Sequence, residues 1–312
     1  MRILAVNKND SDQRLDKFLQ KAVPALPQSL MYKFIRTKKI KVNRGRAQPD
    51  TRLNEGDTVE LFISEEFFAE NASDTSFMRL EPRLNIVYED NELLICDKRP
   101  GLLCHPDEGE SENTLINHIK AYLYRKGEYL PNDEQSFAPS LCNRIDRNTG
   151  GLVIAAKTSE ALRRVNEAIR EGRVDRRYLC AVHGIPQKRE AALTSYLIKN
   201  ADENLVTVSR RPVPGARTAV TKYKLLATSP DSSLALLECT LLTGRTHQIR
   251  AQLADAGHPL LGDGKYGINK NDRTRGYSWQ ALYSYRLTLE GKTHSAEISN
   301  IRFLKEFPDF KL

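Results

Sequence analysis

The chain has 312 residues, of which 40% are hydrophobic and 28% charged, and it carries a net charge of +8. This length predicts about two domains, the hydrophobic content supports ordinary folded cores, and the positive charge favours a polyanionic partner. The five cysteines occur singly and in an odd number, so we expect reduced thiols in the cytoplasm. No apolar run is long enough for a signal peptide or a membrane span, so we expect no membrane association.

The first sixty residues predict two short helices followed by strands. Residues 13–22 place apolar side chains on one helical face, and Ser29 can cap a second helix. Strands are predicted at 39–43 and, after a turn at Gly56-Asp57, at 58–63. Seven Lys or Arg and no acids lie between Leu30 and Arg46, which predicts a strongly basic surface.

This N-terminal unit, residues 12–64, resembles an S4 RNA-binding domain. The Arg14–Leu19 segment, the helix at Ser29, the Val42-Asn43 strand and the Gly56-Asp57 turn fall in the family's order. A charge run alone would favour the solvated basic face of a small protein-binding module, and the S4 resemblance shifts the interpretation to RNA binding. The candidate RNA-binding residues in this unit are Lys33, Arg36, Lys38, Lys39 and Lys41.

Residues 65–81 are polar and rich in acids, and we interpret them as a linker to a second domain over 82–312. In that domain, helices are predicted at 114–125 and from Ser159 to Gly172, and strands at 177–182, 219–227, 234–241 and 283–289. Strands dominate, and helices do not alternate strictly with them. The expected fold class is α+β, with a mixed, mainly antiparallel sheet flanked by helices and loops.

The most informative stretch is residues 143–157. Asp146 lies between Arg144 and Arg147, and a Thr-Gly-Gly turn leads into an apolar run that reads as a buried strand. A carboxylate held in a positive field at a sheet edge can attack an electrophile or position a cation, and the arginines suggest a phosphate-bearing substrate. Taken alone, the pattern fits a loop aspartate in a surface salt bridge somewhat better.

The same stretch resembles the signature of RluA-type pseudouridine synthases, roughly His-Arg-Leu-Asp-Arg-x-Thr-Ser-Gly-Leu. Asn143 stands where His is usual, and Gly150 where Ser is usual. Three more segments match the family in order. Leu94–Leu102 resembles the family's strand and Lys-Pro-x-Gly turn, and Arg176–Ala181 resembles its Lys-x-Tyr-x-Ala strand. Thr243–Arg250, followed by 257–263, resembles its third motif. The S4-plus-catalytic layout resembles the ribosomal large-subunit branch of the family.

The resemblance implies an isomerase that converts uridine in RNA to pseudouridine without a cofactor. By motif position, Asp146 would be the essential carboxylate, Tyr178 would lie against the uracil ring, and Arg245 would hold Asp146 charged. Three first steps stay open: attack on the sugar carbon, attack on the uracil ring, or removal of a ribose proton. The further candidates for RNA contact in this domain are Arg144, Arg147, Thr149, His247 and Arg250, with Lys265 as a weaker one.

The implied partner is ribosomal RNA or a pre-ribosomal particle, bound by a monomer. The alternative is a non-catalytic S4-containing RNA-binding or ribosome-assembly factor, in which the pocket only binds. Residues 262–267 form a literal Gly-x-Gly-x-x-Gly, but no strand precedes them and a polar loop is expected after them, so a dinucleotide site is rejected. The six histidines lack metal-ligand spacing, and Trp279 is interpreted as a packing residue.

Overall fold

The computed structural model describes residues 1–68, 75–200, 203 and 205–311. The linker expected over 65–81 therefore lies partly outside the described residues, at 69–74. Its described parts contain two short 3-10 helices, Glu65–Phe68 and Ser76–Arg79.

The N-terminal unit packs two helices against a small sheet. Its elements are β1 (Arg2–Ala5), β2 (Gln13–Arg14), α1 (Leu15–Ala22), α2 (Gln28–Arg36), β3 (Ile40–Val42), β4 (Gly45–Arg46), β5 (Arg52–Leu53) and β6 (Thr58–Leu61). The sheet has the order β1-β6-β3-β4, and β2 pairs with β5 apart from it. Phe18 and Leu19 of α1 are buried in one cluster with Ile35 of α2, as the helical spacing predicts.

The start of α2 differs from the prediction. Ser29 does not cap this helix, because α2 already begins at Gln28 and Pro27 occupies the N-cap position. Proline suits a helix start, since it has no N–H that would need a partner and its φ is already close to the helical value.

The remaining chain builds one large sheet with helices on both faces. Its elements are β7 (Ile86–Glu89), β8 (Leu93–Lys98), α3 (Leu115–Arg125), β9 (Ser140–Leu141), β10 (Gly150–Ala156), α4 (Ser159–Arg170), β11 (Asp175–His183), β12 (Glu190–Asn200), β13 (Leu205–Ser209), β14 (Arg217–Thr228), β15 (Leu234–Leu241), α5 (Gln248–Asp255), α6 (Lys270–Thr274), β16 (Leu282–Leu289) and β17 (Lys292–Ser295). Two 3-10 helices follow, Ile298–Asn300 and Arg302–Glu306.

The strand order is β13-β12-β14-β15-β11-β16-β10-β8-β7, with β17 paired to β16 and β9 to β10. Among the described strand pairs of this sheet, β10–β16 is parallel and the others are antiparallel. The predicted α+β class with a mixed, mainly antiparallel sheet is therefore confirmed.

Alternate residues of the central strands face opposite sides of the sheet. Leu152 and Ile154 of β10 pack in one cluster with α4, whereas Val153 and Ala155 pack in another with α3. Strand β11 divides in the same way, and its Tyr178 face packs with α5. The face covered by α3 and α5 carries the candidate site.

The S4-like unit is docked on the catalytic unit through a buried aspartate. Asp10 is fully buried, and its carboxylate accepts hydrogen bonds from Ser136 N–H at 2.8 Å and Ser136 Oγ at 2.6 Å. Asn7 and Asn9 donate to Glu134 at 3.0 and 2.8 Å. These contacts set the direction of the basic face relative to the large sheet. None of the helices in the described ranges has the length and apolar character needed to cross a membrane.

Candidate active site

Asp146 lies in the turn that joins β9 to β10, at the edge where β10 begins. Gly151 enters β10 with a φ of +113°, and a Cβ there would collide with the backbone of Ser284 in β16. A Cβ at Gly150 would strike the ring of Tyr283. The two glycines are needed because β10 and β16 pair in parallel at these positions, and this close pairing fixes where Asp146 stands.

Two buried side chains hold the turn in shape. Asn143 Oδ1 accepts a hydrogen bond from the Ile154 N–H at 2.8 Å. Thr149 is 1% exposed, its N–H donates to the Asp146 carbonyl at 3.1 Å, and its hydroxyl accepts from Gln280 Nε2 at 3.2 Å. The prediction that Thr149 contacts RNA is corrected accordingly, because its side chain is enclosed and already engaged.

The cation that contacts Asp146 is Arg250. Its Nη1 donates to Asp146 Oδ2 at 2.9 Å, while Nε and Nη2 form a two-pronged pair with Asp263 at 2.7 and 2.9 Å. Although burial lowers the pKa of Arg250, the hydrogen bonds that it donates to Asp263 and Asp146, together with their charges, keep that pKa above its usual value. The Asp263 pair fixes the guanidinium plane and so aims the third nitrogen at Asp146.

Arg245, the predicted partner of Asp146, lies elsewhere. It is exposed in the turn before α5, and its Nε donates to the Thr218 carbonyl at 3.1 Å. The assignment of Arg245 as the ion-pair partner is wrong, because Arg245 precedes α5, which starts at Gln248, and the first turn of α5 carries Arg250 to Asp146. Arg250 was expected to contact the RNA backbone; it is 7% exposed and serves two carboxylates instead.

His247 stands beside this ion pair. It has a φ of +51° just before α5, its Nδ1 is 2.8 Å from the Tyr266 hydroxyl, and its Nε2 is 4.0 Å from Asp146 Oδ2. Burial lowers the pKa of His247, and the nearby Arg250 charge acts in the same direction. A neutral ring is therefore favoured, which shapes the wall of the site without adding a second cation to Asp146.

Tyr178 projects from β11 on the same face of the sheet. It is 5% exposed and packs in one cluster with Ile145, the residue before Asp146. Burial raises the pKa of the Tyr178 hydroxyl, and the charge of Asp146 adds to that shift, so the hydroxyl stays protonated. The structure thus brings Asp146, Arg250, His247 and Tyr178 to one place.

Lys98 is a site residue to which the sequence reasoning gave no role. Its ammonium group is almost completely buried and donates to the carbonyls of Leu102 at 2.8 Å, Arg147 at 2.9 Å and Arg99 at 3.1 Å. Burial lowers the pKa of Lys98 to about 8, against the opposing charge of Asp146. The lysine connects the Asp146 turn to the Lys98–Gly101 turn, and the resemblance of that turn to the family's Lys-Pro-x-Gly motif was the signal that could have revealed Lys98.

Arg144 and Arg147 are exposed at the rim of the site. Arg147 Nε donates to the Gly101 carbonyl at 3.2 Å, and Gly101 lies against the indole of Trp279. Trp279 is 49% exposed, so the expected packing role covers only part of its ring. Lys265 is also exposed, and its backbone N–H donates to Asp263.

The basic residues of the S4-like unit lie on its surface. Lys33 and Arg36 line a depression of about 320 Å³ between α2 and the 46–49 segment. Lys39 lies over the ring of Phe34 at 5.4 Å, and Lys41 over that of Phe62 at 5.3 Å. Lys38 is exposed at the end of α2 with a φ of +60°. In the described part of the chain, no three His, Cys, Asp or Glu side chains are placed to hold a metal ion.

Comparisons with known proteins agree with this architecture. The family model described as RNA pseudouridylate synthase matches residues 92–255, and the S4 domain model matches residues 13–59. The chain therefore belongs to the RNA pseudouridylate synthase family, enzymes that isomerise uridine in RNA, and it carries an S4 RNA-binding domain.

Curated relatives match over most of their length. An uncharacterized RNA pseudouridine synthase of Mycoplasma genitalium is 33% identical over 90% of this chain and 87% of the relative. Ribosomal large subunit pseudouridine synthase C of Escherichia coli K12 is 30% identical over 88% of this chain and 82% of the relative.

A solved structure shares the catalytic fold. Human RNA pseudouridylate synthase domain containing 4 superposes with a TM-score of 0.57 and 20% identity, over 72% of this chain and 93% of that one. At this identity, the likeness concerns the fold alone.

Proposed function

We propose that this enzyme isomerises specific uridines in large-subunit ribosomal RNA, with Asp146 as the essential carboxylate. The observation that supports this most directly is the Asp146–Arg250 pair at 2.9 Å beside the buried Tyr178. The ribosomal target is supported by the names of relatives such as the Escherichia coli enzyme. The S4-like basic face supplies a surface for a large structured RNA.

The isomerisation needs no external atoms. The bond between the ribose and N1 of uracil breaks, the base turns, and a bond from the ribose to C5 replaces it. The C5 proton leaves and N1 gains one, so the formula is unchanged. Of the two carboxylates that Arg250 binds, Asp146 lies on the open side of the turn. Asp263 lies behind it, is 1% exposed and is out of reach of a substrate.

Tyr178 fits the role of a flat wall for the uracil ring. Its ring is buried against Ile145, and its hydroxyl stays protonated because burial raises its pKa. A neutral phenol offers a hydrogen bond near the C5 position without repelling Asp146. Neither Lys98 nor Arg250 needs to touch the base, since both hold the turn that carries Asp146.

The target uridine must leave its stack to reach Asp146. Extrusion costs a few kcal/mol, and less in a loop or bulge. Arg144 and Arg147 stand exposed on either side of Asp146, where they can contact the vacated stack or the neighbouring phosphates. His247 lines the pocket as a neutral group, and Lys33, Arg36, Lys38, Lys39 and Lys41 bind a more distant part of the same RNA.

The proposal divides the chain into an RNA-binding domain at 12–64, a linker at 65–81 and a catalytic domain at 82–312. It places the enzyme in the cytoplasm, where ribosomal RNA is made, and as a monomer, since one chain carries both the site and the basic face. The five cysteines are free thiols, in keeping with a reducing compartment.

Primer extension after carbodiimide treatment tests the function. Ribosomal RNA from cells with the intact gene should show at least one stop that is lost on deletion, regained with the wild type, and not regained with Asp146→Asn. The Asp146→Asn protein should still bind the RNA, because the surfaces that hold the backbone are unchanged. If no stop depends on the protein, the activity lies in binding alone, as a ribosome-assembly factor would require.

A further inference from the structure

Within the described part of the catalytic domain, one buried arginine, Arg176, lacks an anionic partner. Arg176 lies in β11 on the face that Tyr178 shares, and it is 8% exposed. Its Nε has no hydrogen-bond partner, and across 1–68, 75–200 and 205–311 no carboxylate forms an ion pair with its guanidinium. A cation withdrawn from water without compensation is costly, so its position calls for a reason.

Two arginines near Arg176 are, by contrast, paired with carboxylates. Arg177, the next residue, points to the opposite face, and it pairs with Asp175 at 2.8 Å and Glu238 at 3.2 Å, although its side chain is 38% exposed. Arg250, buried to the same degree as Arg176, receives two carboxylates. Within this region the acids therefore serve Arg177 and Arg250, while Arg176 keeps an unbalanced charge.

The guanidinium of Arg176 lies between the Tyr178 strand and the turn that leads into α5. Its Nη1 is 3.3 Å from the point where a Cβ at Gly244 would lie, so a side chain at that position would crowd it. The positive charge of Arg176 lowers the pKa of the Tyr178 hydroxyl, whereas burial raises it. The unpaired cation is thus a close neighbour of the residue proposed to face the uracil, not a distant part of the core.

We propose that Arg176 binds a backbone phosphate of the substrate RNA next to the extruded uridine. This proposal rests on the proposed function, since it takes the RNA to enter the site beside Tyr178. A phosphate is favoured over a uracil carbonyl, because a neutral oxygen would leave the buried charge unbalanced, whereas a phosphate cancels it and matches the planar fork of donors. Arg176 is then a preformed anion site for the incoming RNA.

The first test compares Arg176→Gln with Arg177→Gln in the full-length protein. Binding to single-stranded oligouridylate is measured against salt concentration. Arg176→Gln should weaken binding roughly ten- to a hundredfold and lower the slope of log K against log salt by about 0.7, the value for one phosphate on a single strand. Arg177→Gln should leave both nearly unchanged. Equal slopes in the two variants would overturn the proposal.

Urea unfolding separates this role from a structural one. A cation without a partner in the free enzyme stabilises nothing there, so Arg176→Gln should unfold at the same urea concentration as the wild type or a higher one. A clearly lower midpoint, together with an unchanged salt slope, would make Arg176 a packing residue and refute the phosphate site.

A neutral linkage locates the phosphate. The probe is a stem-loop cut from the ribosomal RNA around the uridine mapped with carbodiimide, with and without a methylphosphonate next to that uridine. The neutral linkage should weaken binding by the wild type and have no further effect on Arg176→Gln, whereas additive losses would contradict a direct contact. The oligouridylate assay needs no mapped target, so it still reports on Arg176 if the ribosomal assignment fails.

Discussion

Replacing Arg250 with alanine removes the cation that joins Asp146 to Asp263. Asp263 is 1% exposed and would be left as a buried carboxylate without the guanidinium that now pairs with it, although the N–H groups of Lys265 and Tyr266 still donate to it. Breaking one partner out of a buried pair typically costs about 3–5 kcal/mol. Because Arg250 is 7% exposed and holds two carboxylates, we expect Arg250→Ala to lie in this range and to abolish turnover.

Arg245→Ala is the matched control, because Arg245 belongs to the same motif and lies five residues before Arg250, in the turn that precedes α5. Arg245 is exposed and donates one side-chain hydrogen bond, to the Thr218 carbonyl. A single bond of this kind contributes about 0.5–1.5 kcal/mol, and solvent exposure reduces that further. Arg245→Ala should therefore shift the unfolding free energy by less than about 1 kcal/mol.

Urea unfolding at neutral pH gives the two free energies, and single-turnover pseudouridine formation on the mapped stem-loop gives the rates. Arg250→Lys is informative as well, because one ammonium group cannot reproduce three directed N–H bonds to two carboxylates. If Arg245→Ala destabilises the protein as much as Arg250→Ala, or if Arg250→Ala keeps the wild-type rate, the assignment of the Asp146 partner is wrong.

Three further predictions follow from the same geometry. Gly151→Ala should cost about 2 kcal/mol or more in urea unfolding, because its φ is +113° and β16 leaves no room, whereas Gly172→Ala, with a φ of +72° but open space, should cost less; equal costs would contradict the close pairing. Lys39→Gln and Lys41→Gln should each lower the salt slope of stem-loop binding by about 0.9 if each contacts a phosphate, and an unchanged slope would move the RNA surface elsewhere. The pKa of His247 is lowered in the folded protein, so the stability that this residue contributes is complete above the histidine pKa of the unfolded chain, about 6.5, and is lost as the pH falls below that value. The free energy of unfolding should therefore fall less steeply with decreasing pH in His247→Gln than in the wild type. Parallel curves for the two proteins would refute the lowered pKa.

The elements with strong periodicity could be predicted from the sequence. Residues 114–125 and 159–172 carry apolar side chains at helical spacing, and they form α3 and α4 with Thr114 and Thr158 at the N-caps. Strands β11, β14, β15 and β16 also lie where apolar runs predicted them. In each case one side or both sides of the element are buried, so the spacing of apolar residues indicates which side packs against the core.

The elements that sequence reasoning missed have weak patterns. Strands β12 and β13 lie at the end of the sheet, where most residues stay partly exposed and apolar alternation is faint. Helix α6 was expected to be a loop, because its residues are all polar. It is held by Asp272, whose carboxylate accepts from the Gly262 N–H at 2.8 Å and contacts His183 at 3.0 Å. Such tertiary contacts leave no local signal.

The same limit applies to the site. The motif at 243–250 contains two arginines, and motif position assigned the Asp146 contact to Arg245, whereas the folded chain gives it to Arg250. The decision is made by the left-handed residue His247, which starts α5 at Gln248 and turns Arg250 inward, and by Asp263, thirteen residues further along the chain. The turn that carries Asp146 could be predicted from the sequence, whereas its ion-pair partner, Arg250, is determined by the tertiary fold.

The charges around Asp146 explain why the free enzyme is prepared for RNA. Arg250 forms ion pairs with both Asp146 and Asp263, whereas the buried Arg176 forms none within the described residues. The ammonium group of Lys98 is held by carbonyl oxygens, and the lowered pKa of His247 favours its neutral ring, so Arg176 is the buried cation near Tyr178 that lacks an anionic partner among the described residues. If Arg176 binds a phosphate as proposed, the incoming nucleotide completes the ion pairing of the pocket when its uracil reaches Asp146.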